Sequence, residues 1–170
     1  MSADELVALL DPGTGAVVGA APRRRVRADN LPHSATGVVV QRAGGEVLVH
    51  RRSATKDLWP GLIDCAFGGV LLVGEFPLAG ARRELAEEAG IDDPALVLEP
   101  LLTAWYRDEA THYLAHVYGV TWDGPVSFTD GEVEAAWWEP PDAVRAVLAD
   151  PSSPLVPDTR ALLTSAGFPI

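Results

Sequence analysis

The chain of 170 residues is 48% hydrophobic and 22% charged, a composition that excludes a dominantly disordered chain and suits one ordinary folded domain. Its 13 Lys and Arg against 24 Asp and Glu leave a formal net charge of −11, which argues against a nucleic-acid polymer or an anionic membrane as partner, since both need a positive footprint. The lone cysteine, Cys65, rules out an internal disulfide or a cysteine-rich zinc site, and the Met1–Glu5 start lacks the pattern of a secretory leader; cytoplasm is the expected compartment.

In chain order, Leu6–Leu10 and Ala16–Val18 flank Asp11-Pro12-Gly13-Thr14-Gly15 and read as a strand–turn–strand extension within residues 1–30. The basic run Arg23-Arg24-Arg25-Val26-Arg27 reads as a solvated edge. Gly37–Gln41 and Glu46–His50 form the clearest hairpin, joined across Ala43-Gly44-Gly45. A long turn region from Arg51 to Gly74 leads to the best helix, Pro77 to Ala89, with proline in its first turn and Gly90 as its cap. Strands are expected near Leu96–Ala104, Tyr113–Thr121 and Ala135–Trp138. A short helix follows at Ala143–Leu148, and a last one near Asp158–Ser165 lies within a C-terminal segment, 151–170. Mixed strands with few helices predict a single α+β domain over 1–170.

The informative stretch is the helix and its approach. At about 100° per residue, Glu84, Glu87 and Glu88 share one arc, and Leu78, Ala81, Leu85 and Ala89 an adjoining apolar one. Gly80 falls inside the acidic arc. Acidic side chains near the C-terminal end oppose the helix dipole. Glu84 and Glu88 are moreover a like-charge i,i+4 pair that costs roughly 0.2–0.5 kcal/mol. Local folding gives no reason for this arrangement. A hard divalent cation does, because clustered carboxylates suit Mg²⁺, which also binds substrate phosphates.

The segment Gly69-x5-Glu75-x7-Arg83-Glu84-Leu85-x-Glu87-Glu88-x-Gly90-Ile91 matches every fixed position of the Nudix box, and the chain resembles the Nudix hydrolases. The resemblance implies an α/β/α sandwich with a mixed β-sheet. It also implies Mg²⁺- or Mn²⁺-dependent cleavage of a diphosphate linkage in a nucleoside diphosphate derivative or similar phosphoanhydride. Glu84, Glu87 and Glu88 take the metal-ligand and base positions, with Glu84 and Glu87 the two candidates for the base. Glu132 is the preferred further carboxylate from a late loop, over Glu134, and the backbone carbonyl of Gly68 an additional ligand. Gly69, Glu75, Arg83 and Gly90 support the box, Arg83 by aligning its carboxylates. A homodimer is common in such proteins.

On the substrate side, Arg51, Arg52 and Lys56 form a local basic cluster directly before the box, suited to phosphate oxygens. This stretch, with Asn30-Leu31-Pro32-His33 upstream, looks like the Nudix branch related to isopentenyl diphosphate isomerase. That enzyme needs a cysteine acid at the position held here by Gly68 and a metal-binding histidine where Val70 stands, so hydrolysis is the better expectation. His33 then reads as structural. Trp59, Trp105, Tyr106 and His112 could line a pocket for the leaving group. An isomerase-like enzyme and a non-catalytic Nudix-fold binding module are the alternatives.

Overall fold

The computed structural model describes residues 3–168. Its elements in order are β1 (Leu6–Leu10), β2 (Val17–Pro22), α1 (Arg23–Ala28), β3 (His33–Gln41), β4 (Val47–Arg52), β5 (Ile63–Asp64), β6 (Phe67–Val70), α2 (Pro77–Ala89), β7 (Glu99–Arg107), β8 (His112–Thr121), β9 (Val133–Glu139), α3 (Pro141–Ala149) and α4 (Pro157–Ala166). The strand β3 is the hub. It runs parallel to β8 in unbroken register from His33–Tyr113 to Gln41–Thr121, and antiparallel to β6 from Ala35–Val70 to Val38–Phe67. A sheet of mixed direction results.

Val38, Val39 and Val40 are all fully buried, as a strand covered on both faces requires. Val38 and Val40 pack with Ala81, Leu85 and Ala89 of α2. Val39 faces the other way, into a core closed by Val144 and Leu148 of α3 and Leu162 and Leu163 of α4. The alternation of side chains along one strand thus specifies helices on both faces of the sheet.

The expected hairpin at Ala43-Gly44-Gly45 is a turn whose strands part at once. The Arg42 N–H reaches the Glu46 carbonyl at 2.8 Å, yet Gln41 and Val47 are the pair that registers between β3 and β4. Beyond that pair β4 turns to β9, with which it pairs from Val47–Glu139 to Arg52–Val133. The fork has a use: Thr36 of β3 and Arg52 of β4 both line one cleft.

The N-terminal hairpin is built into this sheet. Leu9 pairs with His33, and Val7 bridges to Leu72. The basic run after it is not the solvated edge its charge suggests. It is helical, and Arg24 and Arg25 face solvent while Val26 is buried and Arg23 and Arg27 turn inward. Positions 23 and 27 are one helical turn apart and share a face. Leu78, expected in the core, is 45% exposed, because burial of α2 begins at Gly80 and Ala81. The seventh strand starts at Glu99 rather than Leu96. The Arg82 guanidinium donates to the Leu96 and Asp93 carbonyls and takes that segment out of the ladder.

Candidate active site

The helix α2 begins where Pro77 needs no hydrogen-bond partner and ends where Gly90 adopts φ +66°. A side chain at Gly90 would also collide with the Ser127 hydroxyl. The last turn of the helix contains no basic residue, so the charge of its glutamates is answered from elsewhere.

Arg83 supplies part of the answer. Its Nε and Nη2 donate to the two carboxylate oxygens of Glu75 at 2.8 and 2.9 Å. Its Nη1 donates to Glu84 at 2.7 Å and to Glu87 at 3.4 Å, and Nη2 also reaches the Val70 carbonyl. One guanidinium therefore ties the loop before the helix to two of its glutamates. The Arg83 hydrogen bonds hold the Glu75 carboxyl below its usual range. Burial pushes the Glu84 carboxyl up to about 7, against the pull of Arg83. Gly80 sits beneath this loop, packed against Leu71 and the Glu75 carboxylate.

Glu88 is buried at the cleft wall, with its side chain 6% exposed. One carboxylate oxygen accepts the Gly68 N–H at 3.0 Å, and the other accepts the Lys56 ammonium at 2.7 Å. Gly68 meets the site through this N–H. A Cβ at Gly68 would strike the Thr36 carbonyl oxygen on β3, so the close approach of the two strands requires glycine. Lys56 also bonds Glu132, and Glu132 is fixed by its own N–H, which donates to Asp130 at 2.9 Å. Glu88, Asp130 and Glu132 each offer a carboxylate oxygen, all lying within 4.8 Å of one another. Burial lowers the Lys56 ammonium, but Glu88 and Glu132 more than offset this and hold it above its ordinary range. Burial raises the Glu88 carboxyl, with Lys56 opposing.

A lysine ammonium held between two carboxylates, with the Asp130 carboxylate beside them, marks a place for positive charge. All the donors are hard oxygens, as Mg²⁺ and Mn²⁺ prefer, and the cradle opens on a cleft that could admit a phosphate. The residues present fit a divalent cation. Glu134 is exposed and lies outside this group, and so do Glu84 and Glu87, expected as ligands, which Arg83 holds instead. Asp130, which the sequence reading passed over, lies inside it; the Asp130-Gly131 turn before Glu132 was the available signal.

The basic cluster divides. Lys56 and Arg52 line the cleft. Arg52 already donates to the Leu58 carbonyl and to Asp64. Arg51, its neighbour on a strand whose side chains alternate, faces the opposite way, donates to the Gly61 carbonyl and is not among the lining residues. Trp59 lines the cleft from a left-handed backbone conformation, φ +47°. Trp105 and His112 instead pack on each other at a tilt of 54°, and Tyr106 donates to Asp108, all three away from the lining. His33 lies at the cleft, fully buried, with its Nδ1–H donated to the Leu31 carbonyl at 2.8 Å. Burial lowers it to about 4 and keeps the ring neutral. Cys65 is buried in the core beneath α3 and α4, away from the cleft, and burial pushes its thiol up. It is in no position to serve as the acid of an isomerase.

Comparison with known proteins identifies the family. A sequence model of the NUDIX domain matches residues 31–159. The Nudix hydrolase Orf19 of Rhodococcus erythropolis is 38% identical over 169 residues, 95% of this chain and 91% of its own length. The Nudix hydrolase YfcD of Escherichia coli K12 is 33% identical over 130 residues, 76% of this chain and 71% of its own. Among solved structures, DR0079 from Deinococcus radiodurans shares the fold at a TM-score of 0.78, covering 95% of this chain and 99% of that one at 23% identity. The NUDIX domain of Shewanella oneidensis NrtR, solved with ADP ribose, does so at 0.60, covering 78% and 84% at 20% identity. No helix among the described residues is long and apolar enough to cross a membrane. The chain belongs to the Nudix hydrolases, a family of enzymes that generally cleave phosphoanhydrides and generally use divalent metal ions.

Proposed function

We propose that this chain hydrolyses the phosphoanhydride bond of a small diphosphate, a nucleoside diphosphate derivative being the expected class. Mg²⁺ or Mn²⁺ would be held by Glu84, Glu87, Glu88 and Glu132, with Asp130 beside them. The observation that carries the reading is the Lys56 ammonium bonded between Glu88 and Glu132 at the cleft wall. The bound cation supplies neutralisation of phosphate oxygens and of the charge that develops on them. The chain's own residues do the rest. Arg83 aligns Glu84 and Glu87, the two candidates to accept a proton from the attacking water. Lys56 and Arg52 supply positive charge to the phosphates, and Trp59 offers an aromatic wall to the group beyond them.

The test is a panel of nucleoside diphosphates, triphosphates and capped diphosphates, assayed for released phosphate and nucleotide with Mg²⁺ and with EDTA. Release that depends on Mg²⁺ and falls sharply in Glu84→Gln or Glu87→Gln supports the reading. Full turnover in both variants contradicts the assignment of the base. Isomerised product without release would instead favour the isomerase-like chemistry.

A further inference from the structure

Facing the carboxylate wall, the cleft has a second wall that residues 31–159 do not supply. Arg23 and Arg27, one turn apart on α1, line both the deep cleft and the wider groove that leads into it. Across that groove stand Asp130 and Glu132, and Lys56 lines both spaces. The side chains of Arg23 and Arg27 are 15% and 21% exposed.

The two guanidiniums share one carboxylate. Arg23 donates to Asp57 Oδ2 at 3.0 Å, and the Nε of Arg27 lies 3.5 Å from the same oxygen. Arg27 also donates to the Thr111 hydroxyl at 3.2 Å. Asp57 is the one carboxylate paired with both arginines, in a chain whose net charge is −11; Asp158, the other acid that acts on Arg27 from the cleft lining, is itself pushed up to about 7 by burial. The Nε nitrogens of both arginines are buried without a hydrogen-bond partner among the described residues, a condition that costs stability unless something occupies the space. A helix that served only to cover the domain edge would present an apolar face or a carboxylate for each arginine; here one carboxylate answers both guanidiniums.

We infer that Arg23 and Arg27 form an anion subsite, contributed by the N-terminal extension, which grips the free terminal phosphate of the substrate while Asp57 holds the place of that phosphate in its absence. The inference rests on the diphosphatase reading of the same cleft and narrows its substrate class. Compounds that end in a free phosphate, with two or three exposed oxygens for the guanidinium forks, are favoured over diphosphates capped at both ends. Asp57, 45% exposed at the mouth, competes with the phosphate for the same donors.

Binding separates this subsite from catalysis. Inorganic pyrophosphate is titrated calorimetrically into the whole chain in EDTA, for the natural sequence and for Arg23→Gln, Arg27→Gln and Asp57→Asn. Each arginine variant is expected to bind about tenfold more weakly or worse, and Asp57→Asn roughly threefold or more tightly, by the scale of charge-assisted phosphate contacts. A gain on removing Asp57 is a result that misfolding cannot imitate, and Arg27→Lys, which keeps the charge, is expected to recover part of the affinity. In the Mg²⁺-loaded enzyme, the arginine variants should lose kcat/KM on ADP by a larger factor than on ADP ribose, which has no free terminal phosphate. Unchanged pyrophosphate affinity in arginine variants that melt like the natural chain would overturn the subsite. Equal losses of kcat/KM on ADP and ADP ribose would overturn the free-phosphate preference. Absence of turnover on every substrate would count against the diphosphatase reading alone, since the pyrophosphate titration is read without it.

Discussion

The Lys56 ammonium lies 2.7 Å from Glu88, between that buried carboxylate and Glu132. A cation and this lysine compete for the same oxygens, so removing the lysine should affect metal binding and turnover in opposite directions. In Lys56→Met, Mn²⁺ affinity without substrate is expected to rise roughly tenfold, while kcat/KM falls because the charge that answers the phosphate is gone. Without metal the same variant leaves buried carboxylates unpaired, and a loss of about 3–5 kcal/mol is expected, recovered on adding Mn²⁺. Manganese titration and chemical unfolding with and without the ion check this. A rise in stability without metal would show that Lys56 does not answer Glu88.

Arg83 joins Glu75, Glu84 and Glu87 through charged hydrogen bonds. Arg83→Gln should lower kcat/KM by about 10–100-fold, the usual cost of losing a group that orients metal-binding residues. Glu75→Gln, which keeps one acceptor oxygen for the guanidinium, should cost less. Steady-state kinetics on both variants tests the ranking, and a larger loss from Glu75→Gln would reverse the roles given to the two residues.

Gly68 combines a strand contact and a site contact. Gly68→Ala places a methyl group against the Thr36 carbonyl and must shift the N–H that Glu88 accepts. A loss of about 1–3 kcal/mol of stability is expected, the range for overpacking a tight site, together with weaker Mn²⁺ binding. Thermal melts and manganese titration read the two effects. Intact metal affinity in a destabilised variant would detach Gly68 from the site.

Two buried histidines each make a contribution to stability that is lost in acid. His33 and His50 are each lowered to about 4, chiefly by burial, and His50 stacks on Phe67 at 4.5 Å. Below the ordinary value of 6.5 the unfolded chain takes up a proton that the folded histidine refuses. The histidines' contribution to stability is therefore lost as pH falls from 6.5 toward 4, and the loss levels off below that. Each histidine contributes about 2 kcal/mol between pH 7 and pH 5. Asp158, Glu84 and Glu88, all raised chiefly by burial, work in the opposite sense over the same range. The clean measurement is thus a difference: urea unfolding of His50→Gln should show a pH 7 to pH 5 loss smaller by about that amount. An unchanged loss would mean that His50 is free to ionise in the fold.

Local signals made the box helix legible before the structure: Pro77 and Gly90 mark its ends, and the observed helix runs from Pro77 to Ala89. The positions of Glu84, Glu87 and Glu88 on that helix followed from its period, though burial separates them, with Glu88 inside and Glu87 at the surface. Convergence over long separations was less legible. Lys56 and Glu132 stand 76 residues apart, and a sequence pattern does not show that β4 and β9 will pair to bring them together. Arg23 and Arg27 looked like ordinary surface charge because their partner, Asp57, and the cleft they line are created by the tertiary fold. Arg51 and Arg52 show the reverse case: adjacency in sequence suggested a shared role, and strand alternation sends them to opposite faces.

The central claim is that the carboxylates around Lys56 form a seat for a divalent cation. Manganese titration by calorimetry, on the natural chain and on Glu88→Gln and Glu132→Gln, tests it most directly. The account predicts saturable binding in the natural chain, weakened about tenfold or more in each variant. No binding to the natural chain, with or without pyrophosphate, or equal binding to all three proteins, would contradict it.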